Sequence, residues 1–217
     1  MPNILIQDLT AIINGTSRNG AKYDTVHVET LITTDQPIPQ NLNWYVPNGC
    51  SVPKEISDLF KANHIEMYPQ TEENILKGTE DILEQAKSNS LPGTEIDASK
   101  LLLRAVMKLS SLVPVEGTQN CYIVSYDYKI YPAQDNSFEF KVVLPFDGLT
   151  MINAKSLVQT TVTAPVNSKI NSVKSYAADL STNKEVTQET VVQTTTKRPI
   201  VTFQYKQDPI FVINYNY

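Results

Sequence analysis

The sequence predicts an α+β protein in which an antiparallel β-sheet or sandwich carries a helical insert in the first half of the chain. Changes in hydrophobic period support this prediction. Apolar residues alternate with polar ones near the N-terminus, follow a helical spacing between residues 53 and 113, and alternate again from residue 121 onward. We therefore divide the chain into an N-terminal β-hairpin with a proline-bearing connection (1–52), a helical segment (53–113) and a C-terminal antiparallel β region (114–217). The first and last parts could form one continuous domain.

Composition narrows the class of protein. The chain has 217 residues, of which 41% are hydrophobic and 19% are charged, and its net charge is -5. This apolar content with a low net charge excludes an intrinsically disordered chain. The only adjacent basic pair is Lys197-Arg198, whereas a phosphate-binding surface needs several cations on one face, so nucleic acid is not expected as the main ligand. We expect no membrane insertion, because no stretch reaches the roughly 18 apolar residues of a membrane helix, and no secretion signal is seen.

Two strand-like runs predict β structure at the N-terminus. In "KYDTVHVETLITT" the apolar residues from Val26 to Ile32 fall on one face and polar residues fall on the other. The apolar run "ILIQDLTAII" precedes it, and two Asn-Gly pairs lie between the runs, where they suit tight turns. These runs predict a β-hairpin. The prolines that follow predict an extended connection anchored by Trp44-Tyr45.

Three helices are predicted between residues 53 and 113. The first begins near Pro53, which suits the first turn of a helix. The second, in "TEENILKGTEDILEQAKS", has Thr71 as N-cap and two acidic residues in its first turn. The third, in "DASKLLLRAVMKLSSLV", is capped by Asp97 or Ser99 and ended by Pro114. Its wide apolar face predicts that it is well buried.

Two aromatic strands follow the helices. In "YIVSYDYKIY" the residues from Tyr122 to Ile130 alternate between an aromatic face and a polar face, and "FEFKVVL" repeats the pattern from Phe138 to Leu144. The polar stretch "PAQDNS" between them has the length of a turn, so the sequence predicts a β-hairpin. Its aromatic face could bind a sugar or a peptide. We favour a role in the core, because an exposed aromatic patch of this size promotes aggregation.

The C-terminal region is predicted to contain several more strands, rich in Thr and Val. The last of them, "DPIFVINYNY", keeps an alternating pattern to its end. Because an unpaired strand edge can pair with another chain, we identify this segment as a candidate assembly strand. It is either the last strand of the protein's own sheet, which we favour slightly, or a strand donated to another subunit. Its candidate contact residues are Phe211, Ile213, Tyr215 and Tyr217.

The sequence shows none of the usual signatures of catalysis or metal binding. The seven glycines form neither GxGxxG nor a Walker A loop, and GxSxG is absent. His27 lies in a strand pattern and His64 follows a short helix, and ordinary structural roles explain both. The acidic pairs Glu72-Glu73 and Glu80-Asp81 lie on predicted helices, where solvated or dipole-related roles are expected. We therefore predict a protein that is not an enzyme, with no catalytic residues, no cofactor and no metal.

In its general make-up the chain resembles bacteriophage virion proteins of the head, neck or tail accessory kind. The resemblance lies in the segments "VQTTVTAPVNSKINSV" and "VTQETVVQTTT", in the lack of a signal peptide, and in the missing catalytic signatures. It implies a structural subunit of the virion, made in the host bacterial cytoplasm without a cofactor. Its partners would be copies of itself, other virion proteins, or both, through symmetric assembly.

Two other interpretations remain open at this stage. The first is an extracellular or cell-surface β-rich binding or adhesion module, in which Cys50 and Cys121 could form a disulfide; two buried thiols are the expectation favoured here. The second is an enzyme whose carboxylates converge only in the folded chain. A concave pocket with acidic residues of perturbed pKa would support the second.

Overall fold

The computed structural model of the chain describes residues 1–48, 52–65, 67–79, 87, 91–152, 155–179, 190–193, 197–205 and 209–217. The α-helices are α1 (Lys54–Ala62), α2 (Glu72–Leu76) and α3 (Leu91–Val106). The first seven strands are β1 (Asn3–Asn14), β2 (Asp24–Thr34), β3 (Tyr45–Pro47), β4 (Met107–Leu109), β5 (Val113–Pro114), β6 (Cys121–Ile130) and β7 (Phe138–Val143). The others are β8 (Thr150–Met151), β9 (Leu157–Thr163), β10 (Lys169–Ile170), β11 (Tyr176–Asp179), β12 (Thr190–Gln193), β13 (Pro199–Tyr205) and β14 (Pro209–Asn216). The protein is thus a β-rich α+β protein.

A sheet of eight strands forms one layer of the structure, in the order β12-β13-β9-β1-β2-β6-β5, with β8 beside the start of β1. The predicted hairpin of β1 and β2 is confirmed, with Ala11 opposite Val28. The sheet is mixed, because β1 runs parallel to β9 on its other edge. The antiparallel prediction therefore holds only for part of this sheet, since alternation of side chains carries no information on strand direction.

A second sheet has four strands, and β14 is its central member. β14 pairs antiparallel with β7 along one edge, and with β10 and β11 along the other. Between β10 and β11, the Ser175 hydroxyl accepts from the Asn214 amide at 2.9 Å, so the backbone of β14 is also bonded in the gap between these two short strands. A separate pair of strands, β3 and β4, forms a small third sheet.

The two large sheets share one hydrophobic core. The core contains inward-facing residues of both, and aromatic rings meet across it. Phe211 of β14 lies 5.4 Å from Phe203 and 5.5 Å from Tyr205, both of β13, between ring centroids. Trp44 is buried in the same core and donates to the Asp147 carbonyl at 2.7 Å, which explains why the proline-bearing connection is anchored there.

The aromatic strands β6 and β7 bury the faces that the alternation predicted, but they do not form a hairpin. β6 pairs with β2 and β5 in the eight-stranded sheet, whereas β7 pairs with β14 in the four-stranded sheet. The polar stretch between them crosses from one sheet to the other. The hairpin prediction was wrong because the backbone N–H and C=O groups of a strand with one apolar face can be hydrogen-bonded equally well by any neighbouring strand. Tyr126, Tyr128, Phe138 and Phe140 are all buried, as expected of core residues.

The helices lie between β3 and β4 in the chain. Phe60, Ile75 and Leu103 of the helices form a second hydrophobic cluster with Met107 of β4. Thr71 caps α2 as predicted, because its hydroxyl accepts from the Asn74 amide at 3.3 Å. The predicted helix continued beyond residue 76, but α2 ends at Leu76, and Gly78 has a positive φ of 82° that ends the helical backbone. Glu80-Asp81 lie outside the described residues. No helix among the described residues is long and apolar enough to cross a membrane.

The third helix differs from its prediction at both ends. α3 begins at Leu91, so Asp97 and Ser99 are interior residues and not caps, and both are buried. Ser99 donates to the Glu95 carbonyl at 2.8 Å, a bond typical of serine inside a helix. The helix ends at Val106 and not at Pro114, because residues Met107–Leu109 pair with β3. α3 is also less buried than predicted, since Leu101 on its surface is exposed.

Candidate functional site

The candidate assembly strand lies in the protein's own sheet. Phe211, Ile213 and Tyr215 are fully buried and face the core, and β14 is hydrogen-bonded along both edges. This is the first of the two alternatives drawn from the sequence. Tyr217 lies beyond the end of the strand and is 40% exposed. A strand already bonded on both edges has no free edge to donate to another chain.

A buried carboxylate, which the sequence analysis missed, holds the end of β14. Asp24 is completely buried and begins β2. Its Oδ2 accepts from the hydroxyls of Tyr215 and Tyr217, each at 2.7 Å. Its Oδ1 accepts from the Ser17 amide at 2.9 Å and from the Ser17 hydroxyl at 2.6 Å. Asp24 lies an even number of residues before the apolar residues Val26 to Ile32 and therefore points to the same, inward face. An acidic residue at an inward position is the feature of the sequence that could have indicated this cluster.

The Asp24 cluster is structural. Four donors occupy the carboxylate and hold the start of β2 in the large sheet against the end of β14 in the small one. Burial, followed by the hydrogen bond to Asp24, raises the pKa of the Tyr215 hydroxyl. The pKa of Tyr217 is raised by the same two causes, burial first. Both hydroxyls therefore remain protonated donors at neutral pH, and the cluster links the two sheets.

The described histidines and Cys121 have ordinary structural surroundings. His27 and Asp127 lie opposite each other on β2 and β6, with the imidazole Nδ1 2.8 Å from the carboxylate oxygen, and both side chains are exposed. His64 has positive φ just after α1. Cys121 is a free thiol, and Cys50 lies outside the described residues. Among the described residues no three His, Cys, Asp or Glu side chains group in a way that could hold a metal ion.

A cleft of about 880 Å³ lies between the β2–β3 connection, α2 and the β7–β8 loop. Three carboxylates line it. The Asp147 carboxylate accepts from the amide of Thr71 at 3.0 Å and also from its hydroxyl, and so caps α2 from outside. The Glu72 carboxylate accepts from Arg104 Nε at 2.7 Å, and the Arg104 guanidinium stacks on the Tyr45 ring. Two of these three acids therefore have structural partners.

The side of the eight-stranded sheet that faces away from the core is open to solvent, and we call it the outer face. It consists of the side chains of β13, β9, β1, β2 and β6 that point away from the core. The register places them in straight rows across the strands. In strand order from β13 to β6, the first row is Ile200, Thr163, Ile12, His27 and Asp127. The second row is Thr202, Thr161, Thr10, Glu29 and Ser125, and the third is Gln204, Gln159, Asp8, Leu31 and Ile123. The fourth row begins on β9 and is Leu157, Ile6, Thr33 and Cys121.

The outer face combines exposed apolar side chains with threonines and amides. Ile6, Ile12 and Leu31 are each between 37 and 43% exposed, although they belong to the central strands β1 and β2. Around them the surface is mostly uncharged, and threonine hydroxyls contact each other, as where Thr161 and Thr202 lie 3.3 Å apart. Large exposed apolar side chains on the central strands of a sheet face are typical of protein interaction surfaces.

Asp8 is the unusual residue of the outer face. It lies near the middle of the face, directly between Leu31 on β2 and Gln159 on β9, and it is partly buried there. Burial raises the pKa of its carboxyl. Within the part of the chain that the structure describes, the Asp8 carboxylate makes no hydrogen bond or ion pair. A partly desolvated carboxylate without a partner destabilises the isolated chain slightly and would gain from a cation.

Comparison of the sequence with models of protein families finds no match, and comparison with curated protein sequences finds no significant match. The function therefore has to be argued from the geometry of the chain. Of the sequence-predicted site residues, the structure brings Tyr215 and Tyr217 together at Asp24, and it places Phe211 and Ile213 in the core. Sequence reasoning noted the outward positions of β2 but not the surface that five strands form together.

Proposed function

We propose that the protein is a non-enzymatic structural subunit that acts through protein–protein contacts made by its outer face. The observation that carries this proposal is the exposure of Ile6, Ile12 and Leu31 on the two central strands of a broad, regular sheet face. Burying these three side chains against a partner would remove apolar surface from water, which is the main driving force of association.

The size of the outer face suits a stable contact. Five strands about 4.8 Å apart and four rows about 6.8 Å apart cover a rectangle of roughly 650 Å². Stable complexes bury about 800 Å² on each partner. The outer face with a rim of adjoining residues, such as the exposed Val113 beyond Ile123, therefore reaches the usual size.

We further propose that the setting is a bacteriophage particle, in which the chain is a capsid, neck or tail accessory protein made in the bacterial cytoplasm. The strands that the phage-like segments predicted include β9, whose threonines supply two rows of the outer face. In this proposal the two sheets face each other as a sandwich, which leaves the far side of the larger sheet for copies of the protein or for other virion proteins. The ring contacts between β13 and β14 support the facing arrangement.

The test is incorporation into particles. A lysate of the source culture is fractionated on a density gradient, and an antibody against the purified chain locates it. We expect it to sediment with intact particles, and we expect a Leu31→Asp variant, supplied in place of the natural chain, to remain with free protein. Val173→Asp is the matched control, because Val173 is 90% exposed in the loop between β10 and β11, away from the outer face.

Two results would contradict the proposal. A chain absent from every particle fraction would exclude the virion role. A folded Leu31→Asp variant that is incorporated as well as the Val173→Asp variant would exclude the outer face as the contact surface. Circular dichroism and the unfolding midpoint of each variant, measured beforehand, separate loss of contact from loss of fold.

A further inference from the structure

The outer face carries an unbalanced negative charge at its centre, and this restricts the partner that it can accept. Asp8, Glu29 and Asp127 point outward, against one lysine, Lys129, and one histidine, His27. Asp127 is paired with His27, and the Lys129 ammonium lies 4.1 Å from the centroid of the Tyr23 ring at the margin of the face. The carboxylates of Asp8 and Glu29 make no hydrogen bond or ion pair with any residue that the structure describes.

The surroundings of Asp8 are apolar on two sides, and Gln159 and Thr10 lie on the other two. Ile6 lies two residues before it on β1, Leu31 lies opposite it on β2, and Ile123 lies beyond Leu31 on β6. A partner that covers these side chains must also cover Asp8 and remove its remaining water. Desolvation of an unpaired carboxylate costs several kcal/mol in a protein interior, so a partner without a cation at this point would be strongly disfavoured.

We propose that the occupant of the outer face is a different protein, whose contact surface presents a lysine or arginine surrounded by apolar side chains, with the cation paired to Asp8. This proposal rests on the proposed function, and it names the chemistry of the partner. A second copy of the chain is the poorer occupant. A twofold contact between identical faces sets one acidic centre against another, and like charges brought together across an interface cost several kcal/mol.

The test uses the chain itself as the probe of that chemistry. An Asp8→Lys variant presents a cation with the same apolar neighbours. Twisted β-sheets commonly pack face to face, so the outer faces of two copies can meet. Sedimentation velocity is run on wild type alone, on Asp8→Lys alone, on Asp8→Asn alone and on an equimolar mixture of wild type with Asp8→Lys. We expect the mixture to associate at least about tenfold more tightly than any single protein, because close charge pairs at interfaces are worth at least about 1.5 kcal/mol.

Two controls locate and explain the contact. Leu31→Asp introduced into the wild-type partner should abolish association of the mixture, whereas Val173→Asp should leave it unchanged. A rise from 0.05 to about 1 M NaCl should weaken the mixed pair, because salt screens the new ion pair. Salt should have a much smaller effect on any association of the Asp8→Asn variant.

Self-association of Asp8→Asn as strong as that of the mixture would overturn the inference. Asp8 would then be a repulsive group that keeps the faces apart, and not one side of an ion pair. A mixture that stays monomeric would overturn it as well. In either case, continued failure of Leu31→Asp to enter particles would leave the proposed function standing, and normal incorporation of that variant would contradict the proposed function separately.

Discussion

Replacement of Asp24 by asparagine tests how the two sheets are held together. The change is nearly isosteric and removes the charge. If the amide oxygen takes the place of Oδ1, it keeps the two bonds from Ser17, and the amide nitrogen then faces the hydroxyls of Tyr215 and Tyr217, which are both donors to Oδ2 in the native chain.

The expected loss of stability follows from the two hydrogen bonds that the tyrosine hydroxyls donate to Oδ2. Hydrogen bonds to a charged group contribute about 1.5–3 kcal/mol each, and neutral ones about 1 kcal/mol. Two charged bonds are lost, and rotation of the hydroxyls can recover at most two neutral ones, with the buried Tyr215 hydroxyl left without an acceptor. The free energy of unfolding should therefore fall by about 2–4 kcal/mol, a large part of the 5–15 kcal/mol typical of a domain.

Urea unfolding at pH 7, followed by the fluorescence of the single tryptophan, Trp44, measures this loss. With a slope of about 2 kcal/mol per molar urea, a loss of 3 kcal/mol lowers the midpoint by about 1.5 M. Asp127→Asn is the control, because Asp127 is in an exposed pair with His27 and should cost less than about 1 kcal/mol. If Asp24→Asn changes the midpoint no more than Asp127→Asn does, the Asp24 cluster does not hold the sheets together.

Two further predictions concern the tyrosines. Burial raises the pKa values of Tyr126, Tyr128 and Tyr215 in the folded chain, so above pH 10 the unfolded chain releases protons that the folded chain keeps. The free energy of unfolding should be unaffected by these groups below pH 10 and should fall above it, by about 1.4 kcal/mol per pH unit for each group. Tyr128→Phe should reduce the dependence of the unfolding free energy on pH by that amount. If this dependence between pH 10 and 12 is the same in Tyr128→Phe as in wild type, burial of Tyr128 is not its cause. Gly15→Ala would place a methyl group 2.5 Å from the Tyr217 hydroxyl oxygen. We expect this change to lower the free energy of unfolding by about 1–3 kcal/mol in wild type, and by clearly less in a Tyr217→Phe background. Equal losses in the two backgrounds, measured by urea unfolding, would show that the clash lies elsewhere.

Features that depend on neighbouring residues were predictable from the sequence. The inward faces of β2 and β6 follow from alternation, the turn between β1 and β2 lies among the Asn-Gly pairs, and Thr71 caps a helix because its hydroxyl reaches an amide three residues on. Even Asp24 could have been recognised, because an acidic residue on an inward face requires donors. These are local properties, and periodicity or short-range hydrogen bonding expresses them directly.

The partner of each strand could not be predicted from the sequence. β6 and β7 look like a hairpin in the sequence and belong to different sheets, and α3 stops at Val106 because the next residues pair with β3. The sequence left two places open for β14, its own sheet, which was slightly favoured, or a neighbouring subunit, and β14 is the centre of its own sheet. In each case contacts with residues far away in the sequence decided the outcome.

The sequence by itself determined which side of each strand is buried, because the hydrophobic effect acts on every side chain separately and leaves its period in the chain. Only the tertiary structure decided which strands lie beside each other, since every backbone offers the same donors and acceptors to any neighbour. The outer face and the place of Asp8 within it depend on that second choice. They exist because β13, β9, β1, β2 and β6, drawn from both ends of the chain, align in one register.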